Sequence, residues 1–163
     1  AKVLTEYVDI VMLRTSSHKN LEEFGKHLET IYEMPTFYGD ESLQDIEKWL
    51  NNRLGQNDDS IEWFQSNHEG EIIDRLHSSI DRTDGIIINP GALTHYSYAV
   101  RDAISSINIP TVEVHLSDIK NREEFRKLSV IKDVCLTQIS GIGKEGYLKA
   151  LKALQEICGE GKE

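Results

Sequence analysis

The stretch from Ile86 to His95, IIINPGALTH, decides how this chain folds. Isoleucines 86 to 88 and Asn89 run into Pro90-Gly91, and Thr94-His95 follows. Branched apolar residues closed by Pro-Gly read as a buried strand that stops abruptly, with polar side chains at its C-terminal end. In open α/β sheets that end is where ligands bind. The same pattern recurs in PTVEVHLS, residues 110–117. Two such strand ends predict a site.

Outward from these strands, apolar runs and amphipathic segments alternate along the chain. Val8 to Leu13 reads as the first strand, and a short helix is expected from Asn20 to Glu33. Ser42 caps the next helix, with Asp45 in its first turn and Leu43, Ile46, Trp49, Leu50 and Leu54 on its apolar face. After a turn at residues 55–60, Ile61 to Gln65 is the second strand and Glu69 to Ile80 a helix. Gly85 to Asn89 is the third strand, Ser97 to Ser106 a helix and Thr111 to His115 the fourth strand. Residues 121–129 read as a charged helical turn, Val134 to Ile139 as the fifth strand and Tyr147 to Cys158 as the last helix. This alternation predicts a flavodoxin-like α/β fold: a three-layer sandwich with a five-stranded parallel sheet, in one domain over residues 1–163.

With 163 residues, 39% hydrophobic and 28% charged, the chain suits one soluble globular domain. Its net charge of −10 argues against nucleic acid and anionic membrane as partners. Its two cysteines, Cys135 and Cys158, are too few for a disulfide framework or a zinc site and read as buried free thiols. No apolar run approaches the ~20 residues of a membrane span and no signal peptide is visible, so a cytoplasmic location is expected.

Glu113 and His115 alternate along a strand and therefore face the same side, where a carboxylate fixes the imidazole and raises its basicity. Asn89 and His95 bracket the turn after the neighbouring strand. Arg122, Arg126 and Lys127 sit among acidic residues, as either a solvated face or one arginine turned inward onto a polyol or acid. Asp102 reads as an exposed helix charge. Tyr38 lies in a loop; it acts as a base only if a cation lowers its pKa by about 3 units, or about 4 kcal/mol. Gly141 to Gly146 matches G-x-G-x-x-G, but no further strand and acidic residue follow, so a tight turn against the sheet is the better reading than a nucleotide site.

In this order the pieces resemble the type II 3-dehydroquinate dehydratases. The resemblance is carried by QSNHEGEIIDRLH from Gln65, DGIIINPGALTHYSYAVRDAI, IPTVEVHLSDI, REEFRKLSVI and QISGIGKEGYLKAL, and by TFYGDESLQDIEKWL from Thr36. It implies a hydro-lyase that converts 3-dehydroquinate to 3-dehydroshikimate by anti elimination through an enolate. It implies no metal and no cofactor, and a homododecamer built from trimers. By position, Tyr38 resembles the base, His115 the general acid and Glu113 the residue that orients it. Asn20 is similar in context to the residue that steadies the enolate through a water. The resemblance implies that Asn89 and the backbone N–H groups of Leu116 and Ser117 hold the carboxylate, and that His95 and Arg126 hold ring hydroxyls. It implies that Asp102 reaches a site in a neighbouring subunit.

The entrance segment, about residues 14–41, departs from the family. The Asn-Gly-Pro of its first loop and the arginine before its catalytic tyrosine are absent. Arg14, Lys19, Lys26 and His27 are the cations available to stand in, and Glu33 beside a phenol would raise its pKa. Two readings follow: a dehydratase with a rebuilt entrance, and a homologue that binds ligand or serves as a scaffold without turnover.

Overall fold

The structure, a computed structural model, describes residues 8–14, 42–54 and 60–160. Asn20, Tyr38, the helix expected from Asn20 to Glu33 and most of the turn before Ser60 lie outside the described residues.

Along the chain come β1 (Val8–Arg14), α1 (Leu43–Asn51), β2 (Ser60–Ser66), α2 (Glu69–Ser78), β3 (Gly85–Asn89), α3 (Tyr98–Ile107), β4 (Thr111–His115), β5 (Thr137–Ser140) and α4 (Glu145–Glu160). The five strands form one sheet in the order β2-β1-β3-β4-β5, the flavodoxin order. Alternation of side chains along these doubly covered strands builds two cores. On one face Ile86 and Ile88 pack with Ile72 and Leu76 of α2 and with Val100, Ala103, Ile104 and Ile107 of α3. On the other, Ile87, Val112 and Val114 pack with Ile46 and Leu50 of α1 and with Tyr147, Ala150, Leu151 and Leu154 of α4. No helix among the described residues is long and apolar enough to cross a membrane.

The sheet is mixed, which corrects the expectation of a wholly parallel one. β3, β4 and β5 are parallel, but β1 runs antiparallel to both β2 and β3, with Asp9 opposite Asn89 and Leu13 opposite Gly85. Within VDIVMLR, Ile10 to Leu13 are apolar on both faces with one charged residue on each side, so the pattern carries no polarity. The reversal puts the backbone of Arg14 at the end of the sheet away from Asn89. At about 3.3 Å per residue, that is about 16 Å from Asp9.

Local signals set most element ends. Ser42 and Asp45 form a reciprocal capping box at α1: the Asp45 N–H donates to Ser42 Oγ at 3.2 Å and the Ser42 N–H to Asp45 Oδ2 at 2.9 Å. Donation from the Ser42 hydroxyl, then from its backbone, holds the Asp45 carboxyl below the ordinary range. Ser97 caps α3 by accepting from the Val100 N–H. Residues 121–129 form short 3₁₀ turns rather than a helix: Ile119–Asn121 and Glu124–Arg126 are separate pieces. β5 begins at Thr137, three residues later than expected, because Lys132–Val134 turns first; Cys135 therefore precedes the strand.

The run Gly141 to Gly146 is a tight turn against the sheet. Gly141 has φ +80°, and a Cβ there would stand 2.9 Å from the Asp118 Cβ. Gly146 lets α4 close on β4, since a Cβ would lie 3.1 Å from Val114 Cγ1. Glycine serves backbone approach here.

Candidate active site

β3, β4 and β5 end together, and their C-terminal ends carry the polar groups that the sequence singled out. Glu113 and His115 are on one face of β4, as alternation requires. Glu113 is fully buried and His115 is 6% exposed. His115 Nε2 is 2.7 Å from Glu113 Oε1. A carboxylate oxygen is an acceptor, so Nε2 carries the proton of this bond and Nδ1 is left for proton exchange.

Three further side chains donate to the same carboxylate. Thr94 Oγ1 donates to Oε1 at 2.5 Å. Gln138 Nε2 donates to Oε2 at 2.8 Å. Ser129 Oγ lies 3.0 Å from Oε1 and 3.1 Å from Oε2, and itself accepts from the Lys132 N–H at 3.0 Å. Burial raises the Glu113 carboxyl, but donation and charge from His115, with donation from Thr94 and Gln138, outweigh it and hold the carboxyl below its ordinary value. The buried group is therefore an anion ringed by donors.

Cys135 lies near this anion and is largely buried. Burial first, and then the Glu113 charge, push its thiol up to about 12, against a lowering from Arg101. It is a neutral thiol rather than a nucleophile.

His95 sits in the turn after β3. Its Nδ1 lies 2.6 Å from the Leu128 carbonyl oxygen, which only accepts, so Nδ1 is protonated and Nε2 is the acceptor in the neutral ring. Arg126 lies mostly buried with its guanidinium carbon 5.1 Å from the centre of the Phe125 ring, and Phe125 meets the His95 ring edge-on at 6.4 Å. The turn with His95 and the segment with Arg126 are tied by the Val130 N–H, which donates to the Thr94 carbonyl at 2.7 Å.

Asn89 is placed differently. It shares the Ile87 face of β3, and its Nδ2 donates to Tyr147 Oη at 3.3 Å. The Asn89 side chain and the Glu113–His115 pair thus stand on opposite faces of the sheet, meeting only beyond the strand ends. Leu116 and Ser117 follow β4 directly; the Leu116 carbonyl accepts from the Gly143 N–H, which fixes the backbone there. Asp102 is exposed on α3.

A family model for class II dehydroquinase matches residues 19–155. The chain belongs to the class II dehydroquinase family. It is similar to the 3-dehydroquinate dehydratase of Caldicellulosiruptor bescii, with 54% identity over 121 residues, or 74% of this chain and 83% of that protein. It is also similar to the 3-dehydroquinate dehydratase of Thermotoga petrophila, with 50% identity over 137 residues, covering 84% of this chain and 90% of that one. Among solved structures it resembles the type II dehydroquinase of Butyrivibrio crossotus, with TM-score 0.70 and 46% identity over 72% of this chain and 83% of that one.

In this chain Thr94, Ser129, Gln138 and Tyr147 have no site role assigned from the sequence alone. Gln138 was within reach of it: a polar residue inside β5, in register with Glu113 across the parallel pair. Thr94 and Ser129 come from segments 19 and 16 residues away from Glu113, and no spacing rule joins them.

Proposed function

We propose that this chain dehydrates 3-dehydroquinate to 3-dehydroshikimate by anti elimination through an enolate, a hydro-lyase step of the shikimate or quinate pathway. The observation that carries the reading is the buried Glu113 carboxylate on His115 Nε2, which leaves Nδ1 at the strand end. His115 protonated on Nδ1 gives that proton to the departing hydroxyl, which leaves as water. The imidazole then remains neutral, keeping its Nε2 proton and still donating it to Glu113.

Tyr38 takes the proton beside the ketone as a phenolate. The family match supports this assignment, because residues 19–155 include both Tyr38 and Asn20. Asn20 steadies the enolate through a water. The cation that lowers the phenol comes from Lys19, Lys26 or His27; Arg14 starts at the wrong end of β1. Asn89, held by Tyr147, and the N–H groups of Leu116 and Ser117 receive the substrate carboxylate. His95 accepts from one ring hydroxyl through Nε2, and Arg126 donates to another. Asp102, exposed on α3, extends toward a neighbouring subunit, within a cytoplasmic dodecamer of trimers formed by single-domain protomers.

Incubation of the pure protein with 3-dehydroquinate tests the reading. A rising ultraviolet absorbance of the conjugated enone is expected, and no change at high protein concentration rejects it.

A further inference from the structure

The Glu113 carboxylate has two oxygens with unequal company. Oε1 receives His115 at 2.7 Å and Thr94 at 2.5 Å, with Ser129 at 3.0 Å. Oε2 receives Gln138 at 2.8 Å and the same single Ser129 proton at 3.1 Å. Ser129 has one hydrogen and three acceptors within reach, counting Thr94 Oγ1 at 2.9 Å. Gln138 is therefore the one donor among the described residues that serves Oε2 alone. It is also mounted on the strand next to Glu113. Glu113 and Gln138 are register partners across the parallel β4–β5 ladder, whereas Thr94 stands on the 3₁₀ turn Gly91–His95 and Ser129 between elements.

We propose that Gln138 is a positioning residue: by anchoring Oε2 from the neighbouring strand it fixes the carboxylate plane, so that Oε1 aims at His115 Nε2 and His115 presents Nδ1 to the substrate. This rests on the dehydratase reading for its kinetic consequence but not for its geometry. Without Gln138 the buried Oε2 shares one hydroxyl proton, and the carboxylate gains by rotating toward Thr94 and Ser129. The imidazole follows Oε1. A donor lost from a buried charged acceptor of this kind costs about 10- to 100-fold in rate.

Two variants and two readouts test the assignment. Gln138→Met keeps length and volume but removes the donor. It should lower kcat about tenfold or more while KM stays within about twofold. Gln138→Glu restores a donor only while its carboxyl is protonated. Its rate should approach wild type at acid pH and fall as the proton leaves, a dependence that loss of packing does not produce. The ionisable groups facing this position are Glu113 and His115 on β4 and Cys135 ahead of β5, with Arg101 acting on Cys135. Cys135, at about 12, keeps its proton throughout such a titration.

The second readout needs no turnover. In protein labelled with ¹⁵N-histidine, the downfield proton of the His115–Glu113 bond should sharpen in wild type and weaken or move upfield in Gln138→Met. Wild-type kcat in Gln138→Met, or an unchanged His115 resonance, overturns the assignment. An inert wild type that still shows the resonance change refutes the dehydratase reading and leaves the positioning role standing.

Discussion

Replacing Glu113 by glutamine removes one charge and almost no volume, so it separates what the anion does for the fold from what it does for the reaction. Four side chains donate to this carboxylate. Bonds to a charged acceptor are worth about 1 kcal/mol more apiece than neutral ones, so their weakening costs about 4 kcal/mol. Burying an amide in place of a carboxylate returns several kcal/mol of desolvation. Gln138 can turn its own amide over and offer oxygen to the new NH₂. The two terms cancel to within about 2 kcal/mol, and Tm should move by less than about 8 °C.

The rate has no such compensation. At the 2.7 Å separation of His115 and Glu113, an effective dielectric of about 20 gives an attraction of about 6 kcal/mol for the imidazolium. If half survives as differential stabilisation of the protonated ring, kcat falls about 100-fold. Enone absorbance under saturating 3-dehydroquinate measures kcat, and circular dichroism on heating measures Tm. A Glu113→Gln protein whose kcat lies within about threefold of wild type refutes the idea that the anion sustains the acid.

Tyr38→Phe should lower turnover by several orders of magnitude while the urea midpoint stays close to wild type; a near-normal rate would assign the base elsewhere. The Glu113 carboxyl lies below its ordinary 4.5 in the folded chain, so its contribution to stability is present above that value and is lost as pH falls through the folded value. Urea titrations at descending pH should accordingly show wild type losing stability more steeply than Glu113→Gln, and parallel curves would contradict this. Gly141→Ala puts a Cβ 2.9 Å from the Asp118 Cβ at φ +80°, and should lower stability by about 1–3 kcal/mol in chemical denaturation; an unchanged midpoint would show that the turn relaxes freely.

The strands that hold the site were legible because their signals are local. β3 and β4 have the bounds expected from IIIN and TVEVH, and the pairing of Glu113 with His115 follows from two-residue alternation alone. Direction was not legible in β1, whose apolar run is flanked by a charged residue on each side, Asp9 and Arg14. The charged stretch after Ser117 has helical composition, yet it folds as separated turns. Its backbone is recruited by tertiary partners: Leu128 by His95, and Val130 by both Thr94 and the Arg101 guanidinium. Composition also cannot reveal how many donors a buried carboxylate collects, since Thr94 and Ser129 reach Glu113 only through the tertiary fold. Tyr38 and Asn20 rest on the family resemblance, because no periodic pattern places them.

The split of Asn89 and His115 between the two faces of the sheet has a mechanical consequence. Any molecule spanning them leans on separate foundations, with α4 and Tyr147 beneath one end and the α2–α3 side beneath the other. Carving a void under Tyr147 loosens the grip at one end of that molecule while the proton donor at the other stays in register. Affinity and chemical rate can therefore drift apart through substitutions that never touch the ligand.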